Sequence, residues 1–266
     1  MPELPEVAQF KRYLDATSLH QQIERTSVTD DRILEDIRPQ QLGRRLKGRR
    51  LERSVRHGKL LLAELNDAGG WLVMHFGMTG DLRYSKTDAE PPPYTKVLFC
   101  FANGGRLAYI SRRLLGFVGF ASDPDEFLAG KKVGPDALAD DLTLDVFRDR
   151  LAGRKGKLKP LLMNQSVVAG VGNIYADEML YQARLHPETR ADRLGDEAVE
   201  RLYRAMRQSL ATAVEADADW GRLPDEFFLP HRDGDRRCPN CRRELDRTKV
   251  AGRTTLFCSR CQKRPR

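Results

Sequence analysis

The chain has 266 residues, 40% apolar and 32% charged, a composition that belongs to a folded globular protein and excludes a disordered one. No apolar run approaches the ~18–20 residues that a membrane-spanning helix needs, and no basic stretch followed by a short apolar core stands near the start; neither a membrane protein nor a secreted one is expected, and a cytoplasmic location is. The formal net charge is +8, and its placement says more than its sum. Residues 232–266 hold 12 Lys/Arg against 4 Asp/Glu, so that the remainder balances at 34 against 34. A second surplus, 8 basic residues against one acid, lies in QLGRRLKGRRLERSVRHGKL at 41–60, and a third is RKGKLKP at 154–160. Basic clusters on a charge-balanced body point to a polyanionic partner, although each could also be a solvated face.

The chain opens MPELPEV. Residues 4–16, LPEVAQFKRYLDA, predict a helix: Pro5 suits a first turn, and Val7, Phe10 and Leu14 recur at spacings of three and four. From about 23 to 121 the pattern becomes short strands, LERSV, KLLLAEL, GWLVMHF, DLRYS, TKVLFCFA and GRLAYIS, punctuated by Gly, Asn, Asp and Pro, with DAEPPPYTK as a surface turn. Many short strands between turns predict a β-sandwich. GKKVGPDALADD reads as a linker, and helices follow: TLDVFRDRLAG, capped by Thr143 or Asp141, then two helices broken by SVVAGVG, then the longest, GDEAVERLYRAMRQSLATAVEA. The expected organisation is α+β: a β-sandwich domain with an N-terminal helix over 1–131, a linker over 132–142, a helical domain over 143–230 and a cysteine module over 231–266.

Four of the five cysteines stand as CPNC and CSRC, that is Cys238, Cys241, Cys258 and Cys261. In a reducing compartment this spacing predicts a tetrahedral four-thiolate zinc site of ribbon type, not two disulfides. With all four positions taken by protein sulfur, such a zinc is structural, and no redox or organic cofactor is expected.

Pro2 bears on the chemistry. Met-Pro is a good substrate for removal of the initiator methionine, and the exposed proline nitrogen would then be a secondary amine. An amine of the α-amino kind loses its proton a few hundredfold more readily than a lysine does. Such a nucleophile forms an iminium with an aldehyde-level carbon. Many chains begin Met-Pro to no purpose, but here Glu3 is adjacent, and Glu6 lies three residues further on the same helix face. A carboxyl group beside a nucleophile can move protons to and from a reacting sugar or leaving group; Glu6 also fits an ordinary first-turn acid.

MPELPEV, followed in order by HGKLLL, MHFGMTG, MNQSVVAGVGNIYADEML and the terminal four-cysteine finger, resembles the formamidopyrimidine-DNA glycosylase / endonuclease VIII family of bacterial base-excision repair enzymes over the whole chain, and PELPEV resembles its formamidopyrimidine branch. The resemblance implies a helix–two-turn–helix domain after the sandwich. It implies a bifunctional DNA glycosylase and AP lyase that excises oxidised bases through a Schiff base on Pro2 and cleaves the strand by β,δ-elimination. Glu3 matches the catalytic acid/base and Glu6 a supporting acid. Lys59 matches a lysine that contacts phosphate beside the lesion, Asn173 an asparagine that grips the backbone, and Arg253 the finger arginine that clamps flanking phosphates. Met78, Arg113 and Leu115 occupy the positions of residues that fill the hole left by an extruded base, and Gly172 and Lys159 are further expected DNA contacts.

Two departures stand out. Aligning SRRLLG on Gly116 puts Leu115 where the family has phenylalanine and Ser111 where it has aspartate. The stretch DADWGRLPDEFFLPHRDGDRRC at 216–238 is shorter than its counterpart, which closes over flipped 8-oxoguanine, and has PHR in place of YGR. The alternatives are therefore an AP lyase with weak glycosylase activity or a non-catalytic paralogue that binds damaged DNA. The expected partner is double-stranded DNA carrying a damaged base or an abasic site, bound by a monomer in the bacterial nucleoid, with no membrane involved.

Overall fold

The computed structural model describes residues 2–87 and 90–263. Met1, whose removal the proline reading requires, residues 88–89 of the expected surface turn, and the last three residues lie outside the described residues. The chain divides into two compact units, one of residues 1–2 and 6–131, the other of residues 3–5 and 132–266.

The first unit runs α1 (Leu4–Ser18), β1 (Ile23–Val28), β2 (Leu34–Glu35), α2 (Pro39–Leu46), β3 (Leu51–His57), β4 (Leu60–Leu65), β5 (Trp71–His75), β6 (Gly80–Ser85), β7 (Thr95–Phe101), β8 (Arg106–Ser111), β9 (Phe117–Ala121) and α3 (Pro124–Gly130). One sheet has the order β1-β7-β8-β6, the other β2-β9-β5-β4-β3. Strand side chains alternate between faces, and the alternate residues Val97, Phe99 and Phe101 with Leu107 and Tyr109 from one sheet join Leu61, Ala63 and Leu65 with Leu72 and Met74 from the other in a single buried cluster. This is the expected sandwich. Val7 and Leu14 of α1 enter the same cluster, seven residues apart and hence on one helix face. The Gly58–Lys59 turn joins β3 to β4 between the opposed residues His57 and Leu60, with Gly58 at φ +56° as a tight hairpin needs.

The second unit contains α4 (Leu144–Leu151), α5 (Leu158–Leu162), α6 (Asn173–Gln182), α7 (Asp196–Glu215), α8 (Leu229–Arg232) and the hairpin β10 (Asp246–Val250) and β11 (Arg253–Phe257). Thr143 caps α4, accepting from Val146 N at 3.3 Å. Tyr175, Met179 and Leu180 of α6 and Leu202, Met206 and Leu210 of α7 fill its core. Residues 132–142 are packed rather than linker-like: Ala137 and Leu142 are buried, and Ala137 N donates to Ala169 O at 3.0 Å. The cysteine module docks through Tyr181 and Phe228, which share a cluster with Cys238, Leu256 and Cys258. No helix among the described residues is long and apolar enough to cross a membrane.

Candidate functional site

The segment GVGN leads into α6, whose N-cap is Gly172. A glycine cap offers no side chain, so the first amides of the helix need another acceptor. Glu3 supplies it: its Oε1 accepts from Ile174 N at 2.9 Å and its Oε2 from Tyr175 N at 3.2 Å. The N-terminal arm is pinned alongside, with Leu4 N donating to Gly170 O at 3.1 Å. Both glycines are demanded by this approach. A Cβ at Gly172 would stand 2.2 Å from Glu3 Cδ, and one at Gly170, which has φ +109°, would stand 2.6 Å from Leu4 Cδ1. Glu3 is thus a carboxylate 1% exposed, aimed at the positive end of a helix and directly following half-buried Pro2. Glu6 lies in the first turn of α1.

Asn173, the first residue of α6, donates from Nδ2 to Thr254 O at 3.2 Å and so ties the helix start to the cysteine hairpin. Arg253 is exposed beside the Ala251–Gly252 turn at the tip of that hairpin, one residue before this contact. Lys159 corrects the expectation of a DNA contact. It is fully buried, with Nζ 2.7 Å from Asp177 Oδ1, 2.8 Å from Thr255 Oγ1 and 3.2 Å from Thr254 O. An ammonium enclosed in this way is neutralised by its partners and holds the hairpin against α6 instead of meeting phosphate. Asp177 also takes Arg232 Nη1 at 2.6 Å and Leu256 N at 3.3 Å. Burial pushes the Lys159 ammonium toward its neutral form and the Asp177 carboxyl likewise, and the attraction between them opposes both shifts.

In the first unit, half-buried Lys59 occupies the β3–β4 turn. His75 pairs with Leu60 across β4 and β5 and stacks on Phe117 at 5.5 Å. Burial, and then the charge of Lys59, push the His75 imidazole down to about 4, so the ring is neutral at physiological pH. A neutral ring beside an ammonium was not singled out in the sequence; MHFGMTG shows a histidine but not its neighbour.

Met78, Arg113 and Leu115 come together where β6 and β8 meet. Arg113 Nη1 lies 3.5 Å from Met78 Sδ, and Arg113 N donates to Thr79 Oγ1 at 3.3 Å. The backbones of Gly77 and Leu115 are so close that a Cβ at Gly77 would stand 2.3 Å from Leu115 C. Met78 and Leu115 are 37% and 51% exposed, and Tyr94, at 53%, is the third large apolar side chain left in solvent among the described residues. Tyr94 borders the same edge: Ser111 N donates to its carbonyl at 3.1 Å, and the Arg112 guanidinium lies 5.5 Å from its ring centroid. The sequence reading missed Tyr94 because a single aromatic after PPP carries no period. Ser111 Oγ is buried without a hydrogen-bond partner.

The sulfurs of Cys238, Cys241, Cys258 and Cys261 all lie within 4.8 Å of one another, Cys238–Cys261 at 3.7 Å and Cys241–Cys258 at 3.5 Å. Ligands ~2.3 Å from a tetrahedral zinc stand ~3.8 Å apart, so the donor set and its spacing fit that ion.

Comparison with known proteins agrees with this arrangement. Residues 1–118 match the formamidopyrimidine-DNA glycosylase N-terminal domain, residues 133–223 the H2TH domain of the same enzymes, and residues 237–264 a zinc finger found in FPG and IleRS. The chain is 36% identical to a formamidopyrimidine-DNA glycosylase of Heliobacterium modesticaldum over 99% of this chain and 100% of that one. It is 31% identical to one of Arabidopsis thaliana over 99% of this chain and 71% of that one. Among solved structures, the Lactococcus lactis enzyme bound non-covalently to DNA containing an AP site superposes with a TM-score of 0.90 at 31% identity, covering 98% of this chain and 100% of that one.

Proposed function

Because this chain belongs to the formamidopyrimidine-DNA glycosylase family and is a DNA glycosylase of base-excision repair, we propose that its nucleophile is the nitrogen of Pro2 and that Glu3 is its proton carrier. The observation that carries this reading is the lodging of Glu3. A carboxylate next to the proline is buried and held by two amides of α6, which fixes its direction before any substrate arrives.

The Pro2 nitrogen attacks C1′ of the damaged nucleotide, the glycosidic bond breaks, and the base departs with the bonding pair and a proton supplied by an acid. The resulting iminium is the electron sink for loss of first the 3′ and then the 5′ phosphate, so the chemistry needs no organic or redox cofactor. Glu6 supports the same turn of α1. Lys59, and the neutral His75 beside it, contact the phosphodiester near the lesion. Asn173, the backbone at Gly172, and Arg253 hold flanking phosphates. Met78, Arg113 and Leu115 fill the space vacated by the extruded base. The four cysteines would hold a structural zinc that keeps Arg253 on a stiff hairpin. The partner is duplex DNA with a damaged base or an abasic site, and the protein acts as a monomer.

One observation favours a second reading, an AP lyase with weak glycosylase activity. Leu115 presents branched aliphatic surface where a ring would stack, which weakens the hold on an intact helix around a flipped base. Borohydride trapping separates the two. Protein with a processed N-terminus is incubated with duplexes bearing 8-oxoguanine, 5-hydroxycytosine or an abasic site. A covalent adduct on a damaged base, lost when the N-terminal amine is blocked by acylation, supports the glycosylase; an adduct on the abasic duplex alone supports the second reading. No adduct on any duplex sinks both.

A further inference from the structure

The cysteine module carries a basic pocket that the chemistry above does not use. It is about 720 Å³ in volume and is lined by Arg184, Arg242, Arg260 and Lys263, together with Asn240 and the partly exposed Cys241 and Cys261. No carboxylate lines it. Among the described residues, none of these four cations forms an ion pair, whereas elsewhere in the second unit Lys157 pairs with Glu188, Arg190 with Asp192, Arg204 with Glu200 and Arg222 with Asp217. Four cations converging with no carboxylate among them repel one another, and a bound anion would relieve that repulsion.

Two backbone facts sharpen the point. Arg184 follows the C-cap of α6 at φ +55°, and Arg242 follows the second cysteine of its knuckle at φ +59°. Both positions favour glycine, since a side chain in the left-handed region costs ~1 kcal/mol. Arginine stands there in spite of that cost. The metal site does not use up the charge either. Four thiolates and a zinc sum to −2, so four cations leave a surplus of two.

We propose that this pocket is a second phosphate-binding site for duplex DNA, at the opposite end of the hairpin from Arg253. β11 runs from Arg253 to Phe257, and Cys258 follows; at ~3.3 Å per residue the two ends are about 16 Å apart, far enough to engage different phosphates. Guanidinium forks suit phosphate oxygens, and Asn240 adds a neutral donor. The proposal rests on the DNA-binding reading above and adds an anchor to it.

The test is the salt dependence of binding. The variant Arg184→Gly/Arg242→Gly/Arg260→Gln removes three charges, and its two glycines suit the left-handed backbone, so the module still folds. Affinity for a duplex of about thirty base pairs carrying an abasic-site analogue is measured from 50 to 200 mM salt. Each phosphate relinquished lowers the slope of log affinity against log salt by ~0.9, so the expected change is a decrease of about 1–2. A control, Arg190→Gln/Arg204→Gln/Arg222→Gln, removes equal charge from paired arginines and leaves the slope in place. An unchanged slope in the pocket variant, with zinc retained, overturns the proposal. Loss of zinc from that variant overturns it too, assigning the cations to the thiolates. Loss of affinity for inorganic polyphosphate with an unchanged DNA slope overturns the assignment to DNA. Should the unaltered protein fail to bind any duplex, it is the underlying reading that fails.

Discussion

The carboxylate of Glu3 occupies the space where a side chain at Gly172 would begin, with Cδ 2.2 Å from the position of that missing Cβ. The absence of a side chain at residue 172 and the presence of an acid at residue 3 are therefore one feature. The glycine opens the helix start, and the acid fills it and caps the amides of Ile174 and Tyr175.

Gly172→Ala should accordingly behave as a displacement of Glu3. Excision of a damaged base is expected to fall on the order of a hundredfold, the low end of what a positioned acid/base contributes. Stability should drop by about 1–3 kcal/mol from overpacking. In a Glu3→Ala background the stability cost of Gly172→Ala should shrink, because the clashing atoms are gone. Single-turnover excision and thermal melting of the two single variants and the double variant check this. Additive losses would show that the two residues act separately.

Lys159 should be a structural residue, not a phosphate contact. Replacing it with methionine leaves Asp177 without one of its two buried cations, which costs about 3–5 kcal/mol when a buried pair is broken. In melting that is a drop of about 10 °C. Lys159→Met should leave the salt dependence of DNA binding intact at temperatures where the protein is folded, whereas Arg253→Ala, at an exposed residue, should lower the salt slope by ~0.9 without changing the melting temperature. The reverse pattern would restore Lys159 to the DNA surface.

How legible each of these residues is in the sequence follows from where its partners lie. The sandwich is readable because Val97, Phe99 and Phe101, or Leu61, Ala63 and Leu65, alternate within one strand and need no knowledge of the opposing sheet. The zinc site is readable because each cysteine pair sits on one tight turn. α2 is not readable: only Leu42 and Leu46 of PQQLGRRL are buried, Gly43 interrupts it, and its arginines read as a charge run. Lys159 sits in RKGKLKP among lysines of the same composition, and only its partners far along the chain, Asp177, Thr254 and Thr255, set it apart. The same limit hides His75, whose neutrality comes from its burial in the fold and then from the charge of Lys59, and residues 132–142, whose Gly and Asp content conceals a segment pinned to Ala169.

The exposed edge of Met78, Tyr94 and Leu115 should matter to DNA and not to folding. Met78→Ala/Leu115→Ala is expected to slow excision of a base from duplex DNA about tenfold, with a smaller effect on an abasic site, where no base has to be extruded. Tyr94→Ala should weaken duplex binding by removing the surface on which Arg112 rests. All three side chains are substantially exposed, so melting should move little, in keeping with surface changes worth within about 0.5 kcal/mol. Leu115→Phe should improve base excision relative to abasic cleavage. Equal effects on both duplexes would place these residues outside base extrusion.

Two groups shielded from water, buried Glu178 and half-buried His75, should give stability opposing dependences on pH. Burial pushes the Glu178 carboxyl up to about 7, with the charge of Asp177 adding to it and hydrogen bonds from Gln182, Phe228 and Leu229 pulling the other way. A carboxyl raised above its ordinary value of 4.5 lends stability that is complete below about 4.5 and is lost as pH rises through about 7. His75 is the converse. Lowered from 6.5 to about 4, it lends stability that is complete above about 6.5 and is lost as pH falls through about 4. Between about 4.5 and 6.5 one proton is at stake on each side, with slopes of up to ~1.4 kcal/mol per pH unit and opposite signs, so their sum is nearly flat. Removing one group should expose the other. Glu178→Gln, which keeps an acceptor for a backbone amide, should make the melting temperature climb from pH 4.5 to 6.5. His75→Phe, which keeps the stacking on Phe117, should make it fall from pH 4.5 to 7. Melting curves over that interval for the unaltered protein and both variants decide the matter; three parallel profiles would mean that neither group changes its protonation on folding as its burial dictates.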